Sequence, residues 1–138
     1  MASRFSKSIT LVAALTALSV ATPAFAKPYQ TRGFCTFGNR VYHPEYKSAV
    51  FVWKGSLTTW AASRDAFMQD FERLIRRNFR LDSSYANVKV SCSWYPIDRE
   101  TPEVIETMRT TGFKYGNYYD TDWKPGNTTI KGRFIPKK

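Results

Sequence analysis

The longest periodic pattern in the chain runs from Thr59 to Arg80. There Trp60, Phe67, Phe71, Leu74 and Ile75 fall on one side at helical spacing, and Met68 and Phe79 widen that side. The pattern predicts an amphipathic helix. Downstream the period drops to two: Val88, Val90, Cys92 and Trp94 alternate with Lys89, Ser91 and Ser93, as in a strand with one buried face. Two further apolar stretches precede the helix. Gly33 to Tyr42 reads as a first strand after a flexible lead-in from Lys27 to Arg32, and Ser48 to Trp53 reads as a second. The run Ala49-Val50-Phe51-Val52-Trp53 is apolar on both faces, which predicts a central place in a sheet. His43-Pro44-Glu45 separates the two strands, because proline has no donor for a ladder.

Past the alternating strand, Thr101 is an N-cap residue and Pro102 suits the first helical position. Val104, Ile105 and Met108 then form the apolar stripe of a short second helix, with Gly112 as its left-handed C-terminal residue. Phe113 to Trp123 reads as a strand, Lys124 to Asn127 as a turn, and Thr128 to Lys138 as a weak strand or basic tail. The order ββαβαβ predicts an α+β fold. Its expected form is a two-layer sandwich, with two helices on one face of a small mixed or antiparallel sheet.

The pattern before Lys27 is different in kind. Arg4 and Lys7 precede a run from Ile9 to Val20 that is apolar apart from Thr10, Thr16 and Ser19 and is too short to span a bilayer. Pro23 ends it, and Ala24-Phe25-Ala26 places small residues where a signal peptidase reads. Residues 1–26 therefore read as a cleavable secretory signal, and 27–138 as a single α+β domain. The expectation is an exported protein, periplasmic or secreted. No later apolar run reaches membrane-spanning length, so a soluble monomer is expected after cleavage.

Charge and cysteine usage follow from that division. The chain has 21 Lys and Arg against 11 Asp and Glu, and only Arg4 and Lys7 of these precede Lys27, which leaves a balance of +8. Such a balance favours an anionic partner, and the expected partner is an anionic polymer or an envelope protein, although small exported proteins are often simply basic. The rings are too many for one small core, so several of the eight tyrosines should reach the surface. In an oxidising compartment Cys35 and Cys92 form the expected disulfide, and closing a loop of that length contributes roughly 4 kcal/mol.

Catalytic motifs are sparse. There is no GxSxG elbow and no CxxC pair, and neither a metal nor a cofactor is expected. His43, the sole histidine, lies near Glu45, and with arginines the two would make an acid–base pair for a secreted ribonuclease-like hydrolase. The plainer reading is a solvated turn histidine. Arg73, Arg76, Arg77 and Arg80 share a narrow helical stripe suited to phosphate or sulfate, or serve only as the polar face and the cations of a helix C-terminus. A proteinaceous inhibitor is a third class, with Tyr42 to Lys47 and Tyr95 to Glu100 as the inserting loops. Asp120-Thr121-Asp122 lacks the glycine and distal glutamate of a calcium loop. Ala24-Phe25-Ala26, the Cys35/Cys92 pair and Asp122-Trp123-Lys124-Pro125 together resemble small exported bacterial proteins with one cysteine pair, and that resemblance implies no activity. The leading expectation is a non-catalytic binding module. N-terminal sequencing of protein recovered from the envelope should begin at Lys27, and intact mass on reduction should reveal one disulfide.

Overall fold

The computed structural model describes residues 28–38, 43–114 and 116–137. The signal segment, Lys27, and Val41 and Tyr42 of the expected first strand lie outside the described residues. Six strands and two helices follow one another as β1 (Tyr29–Phe37), β2 (Glu45–Lys47), β3 (Phe51–Gly55), α1 (Trp60–Asn78), β4 (Val90–Pro96), α2 (Pro102–Thr110), β5 (Tyr118–Thr121) and β6 (Gly132–Ile135). The α+β class holds. No helix among the described residues is long and apolar enough to cross a membrane.

β1 is the centre of the sheet. β4 runs antiparallel along one side of it, with Cys35 directly opposite Cys92. On the other side β3 pairs with Tyr29 to Gly33 and β2 with Thr36 and Phe37, both antiparallel. β5 joins β2 in parallel and β6 joins β5 antiparallel, so the sheet is mixed.

Side-chain alternation sorts the residues of β1 onto two faces. Gly33, Cys35 and Phe37 pair with Trp94, Cys92 and Val90, and this face meets Phe71, Leu74 and Ile75 of α1 in the main core. Phe51 belongs to the same face, where its ring touches Phe67, Trp94 and Trp123. A side chain on Gly33 would collide with the Trp94 ring, so glycine is what lets the indole lie flat on β1. The Cys35–Cys92 disulfide lies in this core, with Cys35 fully buried. Arg32 and Phe34 point to the opposite face. There the Arg32 guanidinium donates to the Glu100 carbonyl just before α2, and Lys47 lies over the rings of Phe34 and Tyr118. The two helices therefore cover opposite faces of the sheet, rather than the one face expected.

Other details also depart from expectation. The supposed lead-in is half of β1, since Tyr29 to Arg32 find partners in β3. Pro44 does not delay the next strand, and β2 starts one residue later. β3 lies beside β1 alone instead of centrally, and Val52 is 51% exposed. Gly112 sits in a 3-10 turn, and the positive-φ glycines among the described residues are Gly38 and Gly126. Thr101 caps α2 as expected, its hydroxyl accepting from Val104 N at 3.3 Å. Val104 and Met108, however, are exposed, and the buried residues of α2 are Ile105 and Arg109.

Arg109 explains that rotation of the helix. It is only 6% exposed, and its guanidinium donates to both carboxylate oxygens of Glu106 (2.7 and 3.0 Å), to Asp120 Oδ1 (2.7 Å) and to the Ser48 carbonyl (3.1 Å). Burial weakens the charged form, but the hydrogen bonds and charges of Glu106 and Asp120 outweigh it and hold the guanidinium more firmly protonated than usual. Ser48 is itself fixed by Cys35, whose N–H donates to its hydroxyl at 2.7 Å and whose carbonyl accepts from its N–H at 2.9 Å. Arg109→Met should cost about 1–3 kcal/mol in urea denaturation of the oxidised protein, because the Ser48 carbonyl and Asp120 lose a buried charged donor. A loss of well under about 1 kcal/mol would reduce the cluster to an ordinary surface ion pair.

Candidate functional site

α1 ends because the chain turns extended at Phe79, with φ −117° and ψ 143°. That turn breaks the expected arginine stripe. Arg73 pairs with Asp70 on the solvent side of the helix. Arg76 reaches inward: it donates to Glu72 at 3.1 Å and to the carbonyls of Tyr85 at 3.0 Å and Val88 at 3.1 Å, and lies 5.0 Å from the Phe37 ring centre. It fastens the 83–88 segment to the helix while its side chain stays 36% exposed. Arg77 stays exposed in the last turn. Arg80, past the end of the helix, enters the wall of a groove.

That groove has a volume of about 450 Å³ and is lined by Pro44, Tyr46, Arg80, Leu81, Asp82, Tyr85 and Tyr119. Its floor is aromatic because β2 and β5 pair in register. Tyr46 stands opposite Tyr119, and the two rings stack 4.6 Å apart at 5°. Across the next strand pair Tyr119 stands opposite Phe134, with ring centres 5.2 Å apart and tilted by 53°. Phe79 packs over Tyr46 and Tyr119 at 4.9 and 5.7 Å. The ladder ends in Phe134, which is 47% exposed on an edge strand. Such a ring at a sheet edge is free to meet a partner.

His43 and Glu45 do not form one site. His43 stacks on Tyr85 at 4.2 Å, on the α1 side of the sheet. Glu45 points to the other face, where its carboxylate pairs with Lys47 at 3.7 Å. Of the two inhibitor-type loops, Glu45 to Lys47 lie in β2 and Tyr95 and Pro96 in β4, while residues 97–100 form a turn before α2.

The electrostatics of the groove are sharply divided. Asp82 caps the turn at 83–85: its carboxylate accepts from Ser84 N at 2.8 Å and from the Ser84 hydroxyl, and these bonds with nearby His43 lower its pKa. Burial, then the neighbouring Tyr119 and Asp82, push the Tyr46 phenol up to about 12. Tyr85 is raised further, chiefly by burial, and its hydroxyl donates to the Pro44 carbonyl at 2.7 Å. From Trp123 onward the sequence holds five cations, Lys124, Lys131, Arg133, Lys137 and Lys138, and no acid. The supposed tail places Arg133 on β6, 78% exposed along its side chain and 3.6 Å from Asp120.

Comparison with known proteins returns no matching family model, no similar curated protein and no similar solved structure. The groove and its rings escape sequence reasoning because the ladder depends on the parallel β2–β5 pairing. Three-residue β2 is too short to show a period, and only the density of tyrosine hints at it. The fold holds Tyr46 and Tyr85 in their neutral form, so their contribution to stability is complete below pH 10 and is lost as the pH rises through about 12. Titration followed by tyrosinate absorbance and circular dichroism should show a late group of phenols that ionises together with unfolding. A titration in which every phenol ionises near its ordinary value in folded protein would contradict the burial of this cluster.

Proposed function

We propose that the chain is an exported, non-catalytic binding protein whose β5–β6 end engages an anionic polymer at the cell envelope. One observation supports the reading: in the acid-free basic stretch after Asp122, edge strand β6 carries Arg133 and the exposed Phe134 at the end of an aromatic ladder whose Tyr46 and Tyr119 line a groove with Arg80. Cations neutralise repeating negative charges and release counterions, while rings add contact area that salt does not weaken. The Cys35–Cys92 disulfide is compatible with an oxidising, exported compartment. The hydrolase alternative lacks comparable support, because His43 and Glu45 face different neighbours.

Retention of the oxidised domain on immobilised dextran sulfate tests the reading. Affinity should fall steeply with salt, and combined Arg80→Gln and Arg133→Gln should weaken it by about tenfold at moderate salt. Arg64→Gln with Arg73→Gln, which removes two cations already paired on α1, should have a much smaller effect. Equal losses in the two variants would leave only net charge and remove the β6 end from the proposal.

A further inference from the structure

The groove at Tyr119 sets a cation and a carboxylate beside aromatic rings, and this inference rests on the proposed function because it names the unit of polymer recognised. We propose that the groove seats one acidic sugar residue of an anionic glycan. Its ring lies against the Tyr119–Phe134 corner, its acid group meets Arg80 and its hydroxyls meet Asp82 and the Tyr46 phenol.

Two observations favour a sugar over a bare phosphate chain or a nucleobase, and a third is compatible with it. The first is the pairing of opposite hydrogen-bonding types across one small space. Arg80 offers only donors and ionised Asp82 only acceptors, so a ligand must carry both an anion and hydroxyl donors. An exposed carboxylate inside the groove repels a continuous row of phosphates, but it accepts readily from sugar hydroxyls. The second is ring geometry. Tyr119 already has Tyr46 stacked on it nearly in parallel and Phe79 packed over it, while Phe134 is tilted by 53°. Tyr119 therefore has little free face for a flat base to stack on, whereas Phe134, exposed at the rim, offers its ring to the C–H groups of a pyranose. The third is size, since about 450 Å³ lies within the range of small-ligand sites.

The experiment uses the oxidised mature domain, with amide NMR and calorimetry against an oligogalacturonate, a neutral glucan oligomer of equal length and an oligothymidylate. The oligogalacturonate should shift the resonances of Arg80, Asp82, Tyr119 and Phe134, and the neutral oligomer should bind more weakly. Asp82→Asn preserves the cap at Ser84 and should weaken oligogalacturonate binding by about tenfold. The same change should leave dextran sulfate retention equal or stronger. Phe134→Ala, on an exposed edge, should weaken sugar binding without changing the amide spectrum of the α1 core. Tighter oligogalacturonate binding by Asp82→Asn, or equal shifts from oligothymidylate, would overturn the inference. Absence of groove shifts while dextran sulfate still binds would also overturn it, yet leave the proposed function standing.

Discussion

The buried guanidinium of Arg109 is the constraint on which the rest of this structure depends. In the sheet β5 and β6 join the rest through the short parallel pairing of β2 with β5, three residues on each side, which the bond from Ala49 N to the Trp123 carbonyl extends. Few backbone hydrogen bonds can hold such a junction. Arg109 spans it from behind, with Ser48 following β2 on one side and Asp120 of β5 on the other. Glu106 completes the shell and fixes α2 in the same act. A charge in this position is costly to desolvate, and its hydrogen bonds to Ser48 and Asp120 add to the buried rings of Tyr46 and Tyr118 in fixing one register between the strands.

The groove occupies the other side of that junction. Lys47 and Asp120 are register partners on the Arg109 face, and Tyr46 and Tyr119, one residue earlier in each strand, are partners on the α1 face. Because side chains alternate, a clamp that sets one pair sets the next. The electrostatic cluster and the aromatic ladder are therefore two readouts of a single strand register. Arg76 plays a comparable part for the opposite wall, since its bonds to the carbonyls of Tyr85 and Val88 hold the turn that carries Asp82.

How much of this is legible in the sequence depends on whether a residue's role is local. The period of α1, the alternation before Trp94 and the Thr101 cap are local patterns, and each appears in the structure within a few residues of its expected place. The disulfide follows from parity and compartment, and its partners are directly opposed. The misplacements arise where tertiary partners decide. β3 looks central by composition yet lies beside β1 alone, and α2 looks like a Val104–Met108 helix yet turns Arg109 inward. The arginine stripe assumes a helix continuing through Arg80, but the chain leaves it at Phe79. Parallel pairing of a three-residue strand leaves no periodic trace, so the groove is invisible until the fold is known.

The disulfide divides the chain in a way that bears on its dynamics. The loop closed between Cys35 and Cys92 contains β2, β3 and α1, together with most of the aromatic core. α2, β5 and β6 lie outside that loop and are tied to it by the β2–β5 ladder, Arg109 and ring contacts. The two parts therefore need not open together. Outside the loop the β5–β6 arm is held by non-covalent contacts, Trp123 and Ile130 in the main core among them, and no cysteine closes it. An occupant bridging Arg80 on one part and Phe134 on the other would act as a second, reversible staple across a boundary that the cysteines leave open.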